Sequence, residues 1–226
     1  MTMPYYVPPE QLIKDRADFA RKGIARGRSI VVLEYEHGVL LVAANPSNSL
    51  HKLSEIYDRV AFAGTGRFNE FESLRVAGIR YADLKGYSYG RTDVTAKGLA
   101  NAYAQTLGQI FTHEIKPYEI EVMVAEVGLA SADTSMFRIQ FDGTLTNVEH
   151  HGAIGGKHEE LDEALSQGFA EAMSLDAAIS MATSAIESIE ETSIAPTGWE
   201  AAVLDRNRGR RTFRRLSVEE ISAARQ

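Results

Sequence analysis

The sequence predicts an α+β protein in which helices cover both outer faces of stacked antiparallel sheets. Two very apolar runs, 30–33 and 39–42, are joined by a polar link containing Gly38, which is typical of a hairpin buried on both faces. Two helical patterns follow the first group of strands, and two more follow a second group. This segregated order, with several hairpins, excludes a simple βαβ repeat.

The first half of the chain predicts three helices and the first strands. The N-terminal helix opens at Pro8-Pro9, because proline fits the first helical turn, and it ends near Gly23. Its spacing gives an apolar stripe composed of Leu12, Ile13, Ala17, Ala20 and Ile24. After the opening hairpin, residues 50–56 are ambiguous, residues 60–64 are predicted as a short buried strand, and residues 64–66 as a strand-to-helix turn. Two helices are predicted next, over about 69–84 and from 93 to about 113.

The second half predicts strands, two helices, a last hairpin and a short final helix. Asp142-Gly143 between two apolar runs is a strong hairpin signal. Ser174 is expected to cap a long helix, and Ser217-Val218-Glu219-Glu220 forms a capping box. The expected strands are 119–127, 136–141, 145–148, 200–204 and 212–216; 150–156 is expected to lead into a helix over about 159–172.

Composition limits the functional classes. With 226 residues and no Pro/Gly/Ser-rich linker, the chain reads as one domain. The formal net charge of −7 argues against general nucleic-acid binding, and the lack of cysteine excludes disulfides and thiol chemistry. No signal peptide and no apolar run of about 18 residues is visible, so a cytoplasmic protein that does not enter a membrane is expected.

Three long segments carry a resemblance to a known family. They are KGIARGRSIVVL, SLHKLSEIYDRVAFAGTGRFNEFESLRVAGIRYADLKGYSYGR and GLANAYAQTLGQIFTHEIKPYEIEVMVAEVG. With the order of elements, they resemble the proteasome α subunits of actinobacteria over nearly the whole chain. The resemblance implies the four-layer αββα sandwich of N-terminal-nucleophile hydrolases with an added N-terminal helix. Residues 9–226 would be one such domain, and residues 1–8 a separate tail.

The chemistry of that superfamily can be tested on these residues. Active members use the side chain of their first residue as nucleophile and its free α-amino group as base. A gapless count along the hairpin puts Ser29 at the position of the catalytic threonine and Asn45 at that of the assisting acid. The same count finds no lysine at the third position, in the turn 48–50. Since Ser29 follows a peptide bond and an organised helix, the chain is expected to be catalytically silent, with proteolysis carried out by the β subunits.

The resemblance implies a structural and regulatory role without any cofactor. The family builds heptameric α rings, with copies of the same chain, that stack on rings of proteasome β subunits. The tail would close the axial pore to protein substrates; it consists of Met1, Thr2, Met3, Pro4, Tyr5, Tyr6, Val7 and Pro8. In actinobacteria the family further implies substrates tagged with a ubiquitin-like modifier, in the Pup-dependent pathway.

Activator docking is expected at Lys52. It aligns with the family lysine in pockets between neighbouring α subunits, which accept the C-terminal tails of a regulatory AAA ATPase ring and of other activators. An ammonium group suits an incoming carboxylate. Arg26 is a second candidate, and Gly27 permits close backbone approach. The alternative is that Lys52 is an ordinary solvated lysine.

Some residues of the sequence also suggest other functions. Ser29 could serve an autonomous N-terminal-nucleophile amidohydrolase, and the arginine-rich segment 206–215 could bind nucleic acid or an acidic partner. A solvated edge or salt bridges between subunits is the preferred interpretation of that segment. A metal site at His150, His151 and His158 is disfavoured, because adjacent strand residues point to opposite faces. The glycine-rich run 152–157 lacks the spacing of a phosphate loop.

Overall fold

The computed structural model describes residues 8–47, 49–130 and 133–225. Within these ranges the chain forms six helices and ten strands. The helices are α1 (Pro9–Ile24), α2 (Phe68–Ser88), α3 (Ala96–His113), α4 (His158–Gly168), α5 (Leu175–Glu190) and α6 (Val218–Ala224). The strands are β1 (Ile30–Tyr35), β2 (Gly38–Ala44), β3 (Leu53–Tyr57), β4 (Val60–Gly66), β5 (Ile120–Glu126), β6 (Ser135–Ile139), β7 (Leu145–Val148), β8 (His151–Ile154), β9 (Trp199–Asp205) and β10 (Phe213–Arg215).

The strands form two antiparallel five-stranded sheets. One has the order β10-β9-β2-β1-β8 and the other β3-β4-β5-β6-β7. Strands β1 and β2 form the predicted hairpin, with Tyr35 opposite Gly38 at the closed end and Ile30 opposite Ala43 at the other. Because β2 lies between β1 and β9 and is buried along its whole length, the apolar runs of this hairpin form the centre of the first sheet.

Three layers of apolar side chains hold four layers of backbone together. Alternate residues of the first sheet, such as Val31 and Leu33, pack under α4, α5 and α6. The second sheet packs its outer face under α2 and α3. Between the sheets lies a third cluster that includes Val32 and Met123. The αββα sandwich is therefore confirmed, and none of the described helices combines the length and apolar character needed to cross a membrane.

Three of the predicted helix starts are confirmed. Helix α1 begins at Pro9, and Ser174 caps α5 by accepting the N–H of Ala177 at 3.3 Å. Ser217 and Glu220 form the predicted reciprocal capping box at α6. These local hydrogen bonds use groups close in sequence, which is why the sequence alone could locate them.

Several element boundaries differ from the prediction. Helix α3 begins at Ala96 rather than residue 93, because a 3-10 turn occupies Arg91–Asp93 and Thr95 is the cap. The ambiguous stretch is β3, and the expected turn at residues 64–66 is the end of β4. Helix α4 ends at Gly168 rather than near 172.

The largest omission is β8. Residues 150–156 were expected only to lead into a helix, but His151–Ile154 pairs with β1, with Ile154 opposite Ile30. A four-residue strand with a glycine carries little local signal, and its pairing with β1 supplies the backbone hydrogen bonds that decide its conformation.

Helix α1 is the addition to the sandwich. It contacts β4 and β5, and its buried residues Ala20 and Ile24 pack with Phe141. The predicted stripe is only partly buried, since Leu12 is 49% and Ile13 56% exposed. One end of α1 is therefore fixed on the sandwich, while the apolar residues of its first half lie on the surface.

Candidate functional site

The chain passes from α1 into β1 through a tight turn, which places Ser29 directly before the first strand. A Cβ atom on Gly27 would lie 2.6 Å from Thr65 Oγ1 and 2.9 Å from the backbone nitrogen of Gly66. The chain therefore lies close to the end of β4 at Gly27. Thr65 Oγ1 also donates to the carbonyl of Arg28 at 3.0 Å, so this turn is fastened to the end of β4.

Ser29 is 3% exposed, and its backbone nitrogen is bound by a carboxylate. The N–H donates to Glu190 Oε1 at 2.9 Å, while Arg28 donates to Glu190 Oε2, also at 2.9 Å. Burial opposes the charge of Glu190, but these hydrogen bonds hold its pKa below the usual value. The atom that would have to be a free amine in an N-terminal nucleophile is here an amide donor, which cannot act as a base.

Asn45 is 6% exposed and acts as a structural donor. Its Nδ2 donates to the carbonyl of Leu50 and to Glu200 Oε2, both at 2.7 Å, and its Oδ1 accepts the N–H of Ser47 at 3.1 Å. An aspartate could not make the two donations, because an ionised carboxylate only accepts hydrogen bonds. Residue 45 therefore holds the turn between β2 and β3.

Glu200 on β9 is a central acceptor that sequence reasoning missed. Besides Asn45, it accepts the backbone N–H of Lys52 at 2.9 Å and of Leu53 at 3.3 Å, and the guanidinium of Arg215 at 2.6 Å. A lone glutamate within the apolar strand WEAAVLD was the available signal, since a buried carboxylate needs partners.

Lys52 lies beside Ser29 and Asn45, so the expectation that no lysine occupies this place is wrong. Its Nζ donates to the carbonyls of Ala44 at 3.1 Å and of Arg28 at 3.2 Å. The gapless count missed it because the turn between β2 and β3, not sequence distance, brings Lys52 back to the start of β1. Burial lowers the pKa of Lys52 to about 8, although Glu190 and Glu200 favour its charged form.

A basic recess of about 330 Å³ opens next to Lys52. Arg26, Gly27, Arg28 and Lys157 line it, with Glu190 as the acidic member. Arg28 belongs both to this recess and to the carbonyl pair that Lys52 contacts. Arg26 is exposed, and in the described ranges no carboxylate is paired with it. Three predicted docking residues are thus brought to one corner of the molecule.

The predicted gate lies mostly outside the described residues. Of the tail, Met1, Thr2, Met3, Pro4, Tyr5, Tyr6 and Val7 are beyond them, and Pro8 is exposed at the start of α1. The tail therefore continues from the exposed end of α1, whose other end carries Gly27 and Ser29.

The histidines do not behave as two opposed strand residues. His150 has a positive φ of 57° and precedes β8, so both its ring and that of His151 lie against Phe169, at 5.5 and 5.3 Å between centroids. His158 is in α4 and bonds the Gly155 carbonyl instead. No group of three or more potential ligands is arranged to hold a metal ion within the described part of the chain.

The arginines of residues 206–215 are mostly bound within the chain. Arg211 pairs with Glu55 and Arg214 with Glu220, both at 2.6 Å, while Arg210 lies 3.8 Å from Asp58. Arg208 donates to the carbonyl of Phe213. These contacts favour the solvated, salt-bridged edge over a nucleic-acid surface, and they are made inside one subunit.

Two stacked antiparallel sheets between helix layers define the class of four-layer αββα sandwich proteins. Residues 24–204 match the family Proteasome subunit. The chain is 55% identical to "Proteasome subunit alpha" of Thermomonospora curvata, covering 98% of this chain and 96% of that protein. It is also 55% identical to the protein of that name from Xylanimonas cellulosilytica, covering 96% of this chain and 93% of that protein. Its identity to the Arthrobacter sp. protein is 52%, covering 99% of this chain and 97% of that protein. The chain belongs to the proteasome family, in its actinobacterial α-subunit branch.

Proposed function

We propose that this α subunit is non-catalytic, and that it forms outer rings, heptameric as the resemblance implies, on the β subunits of a proteasome core particle. One observation supports this most directly: the nitrogen of Ser29 is an amide N–H bonded to Glu190. With this nitrogen in a peptide bond, the Ser29 hydroxyl lacks the free α-amino group that active members use as base. Proteolysis would then reside in the β subunits.

The mature N-terminus tests the non-catalytic role. Mass spectrometry of this chain, expressed with a β subunit, is expected to find no cleavage before Ser29. A Ser29→Ala variant should leave peptide hydrolysis by the sized particle unchanged. A mature chain that begins at Ser29, with activity lost in Ser29→Ala, would establish the rival amidohydrolase.

The tail is proposed to gate substrate entry. It is short, and Pro8 leads from it into α1, whose first half is exposed. A segment of this kind can be ordered by its neighbours in one state and released in another. Deletion of residues 1–8 should raise hydrolysis of a peptide substrate by the assembled particle, with an unchanged rate for the β subunit's smallest substrates. Unchanged hydrolysis of all substrates would remove the gate.

Lys52 is proposed to receive the terminal carboxylate of an activator tail. Its Nζ has three N–H donors, and two point to the carbonyls of Arg28 and Ala44, which leaves one for a ligand. The neighbouring basic recess, with Arg26 and Arg28, would attract the negative end of a chain. Close backbone approach at Gly27 keeps that recess next to β4.

A matched pair of lysine variants tests docking. Lys52→Ala should keep ring assembly and basal peptide hydrolysis but lose stimulation by an ATPase ring. Lys22→Ala removes the same charge from an exposed position in the last turn of α1 and should retain stimulation. Full stimulation of the Lys52→Ala particle would show that this lysine serves only the turn between β2 and β3.

A further inference from the structure

A separate recess of about 420 Å³ lies where the end of α1 meets the loop between β8 and α4 and the chain just after β6. Ser29, Asn45 and Lys52 are not part of its wall. The wall combines apolar side chains, Ile24 and Phe141, with several oxygen acceptors. Its volume is within the range of small-molecule sites, which bury an apolar body and orient it with few polar groups.

The polar group that distinguishes this recess is the carboxyl of Glu121. It is only 3% exposed, although it lies on the wall. On β5 its neighbours Ile120 and Val122 pack under α2 and α3, so Glu121 faces the space between the two sheets. A charged side chain at such a position requires partners, because burial disfavours the charged form.

Only one oxygen of the Glu121 carboxyl accepts a hydrogen bond within the described residues. Oε2 accepts the N–H of Gly155 at 3.0 Å. In residues 8–47, 49–130 and 133–225, no donor is bonded to Oε1 and no basic group forms an ion pair with this carboxyl. Burial raises the pKa of Glu121, an effect that the Gly155 hydrogen bond and the charges of His158 and Arg138 oppose and that Asp162 increases.

The basic groups near Glu121 are engaged elsewhere. Arg138 pairs with Asp162 at 2.9 Å and also donates to the carbonyl of Ala153. His158 uses Nδ1 on the carbonyl of Gly155 at 3.0 Å. A cation that enters the recess from outside could therefore pair with Oε1 without displacing a bonded donor.

The rim has two basic residues, and both are also held by other groups. Lys157 donates to the carbonyl of Ile189 at 2.6 Å. Arg21 lies over the ring of Phe141 and 3.4 Å from Asp18. The remaining charges on the wall are the carboxylates of Glu159 and Glu160, in the first turn of α4. The recess thus has one buried carboxyl, apolar sides and two outer carboxylates.

We propose that this recess binds a short aliphatic diamine, with one ammonium group on Glu121 and the other near Glu159 and Glu160. An ammonium group carries three donors, which suits an acceptor-only carboxylate with a free oxygen. The alkyl segment between the two charges would lie along Ile24 and Phe141. The wall shares Ala25, Gly156 and Lys157 with the basic recess, so binding is measured on the full chain alone, without an activator.

The test is a calorimetric titration of the full chain with 1,4-diaminobutane, with 1,4-butanediol as the uncharged ligand of equal length. The diamine should bind and the diol should not. Glu121→Gln keeps the shape of the side chain and removes its charge, and it should weaken diamine binding about tenfold or more. Glu163→Gln is the matched control, because Glu163 is an exposed residue of α4 outside the recess wall and its change should leave binding as it was.

A second variant keeps the proposal open to refutation if Glu121→Gln does not fold. Ala25 is exposed and lines the recess, so Ala25→Leu would occupy its space without changing a charge and should also weaken diamine binding. The proposal is overturned by an absence of diamine binding, by equal binding of the diol, or by binding that both Glu121→Gln and Ala25→Leu retain.

Discussion

The two ends of the β1–β2 hairpin use charge in opposite ways. At the Ser29 end, carboxylates of Glu190 and Glu200 are largely buried and bind backbone N–H groups and an amide. At the closed end, the arginines beyond β9 make exposed pairs, such as Arg211 with Glu55. Buried charges are costly to disturb, whereas exposed pairs contribute little. Contacts at the Ser29 end are therefore expected to contribute strongly to the free energy of unfolding, and the arginine pairs at the closed end are expected to contribute little.

The largest effect should come from Glu200. Glu200→Ala removes the acceptor for Asn45 Nδ2 and for two backbone N–H groups and leaves the guanidinium of Arg215 without its carboxylate. The free energy of unfolding should fall by about 3 kcal/mol, the order found when one partner of a buried pair is removed. Urea denaturation followed by circular dichroism measures it. A loss below about 1 kcal/mol would mean that water replaces these contacts, and the contrast between the two ends would fail.

Asn45→Asp should have the next largest effect, and its size should depend on pH. The new carboxyl would face Glu200 Oε2 where Nδ2 now lies at 2.7 Å. Two such carboxyls can share one proton, so one pKa of the pair is raised and the variant loses stability as pH rises through that value. We expect a loss of about 2 kcal/mol at pH 8 and a smaller one at pH 5. Asn45→Ala, which introduces no charge, separates the charge effect; equal losses at both pH values in Asn45→Asp would contradict this account.

Activator docking should weaken as pH rises past the pKa of Lys52. Burial lowers that pKa from 10.5 to about 8, so the amine is charged below about pH 8 and neutral above it. Each further pH unit should weaken docking by up to about tenfold, or about 1.4 kcal/mol, until the higher pKa of the bound state is reached. Stimulation of peptide hydrolysis at increasing activator concentrations, from pH 7 to 9, gives the apparent Kd. The Lys52→Arg particle keeps its charge, so any docking it retains should not change over this range.

The smallest effect should come from the arginine end. Arg214 pairs with Glu220 at the surface, and Arg214→Ala leaves the Ser217 capping box intact. The free energy of unfolding should fall by less than about 1 kcal/mol. The same variant and the parent chain should both pass through a nucleic-acid column at modest salt. Retention of the parent chain, lost in the variant, would revive a nucleic-acid role for residues 206–215.

The sequence was sufficient for features that local chemistry decides. Helix caps at Ser174 and Ser217, and the β1–β2 hairpin, follow from residues a few positions apart. Strand β8 was missed because its hydrogen bonds come from β1, more than a hundred residues earlier. Long-range pairing of this kind leaves no periodic pattern in a four-residue segment.

For the same reason, the sequence alone could locate only part of the candidate site. Ser29 and Asn45 could be located by counting along one hairpin, but their partners Glu190 and Glu200 come from α5 and β9. The position of Lys52 next to them depends on how the turn after β2 folds back, which a count without gaps cannot represent. The sequence therefore located the two hairpin positions, Ser29 and Asn45, and did not reveal the lysine beside them or the two carboxylates that bind them.

Glu200 also has a consequence for how this chain could change over time. Because one carboxylate serves Asn45, Arg215 and the backbone of the next strand, an acid cannot be introduced at residue 45 without repulsion from residue 200. Removing Glu200 first would leave the hydrogen-bond donors that it binds without an acceptor. Either single change is expected to lower the stability of the chain before the other can compensate, so mutations at residues 45 and 200 are expected to be epistatic.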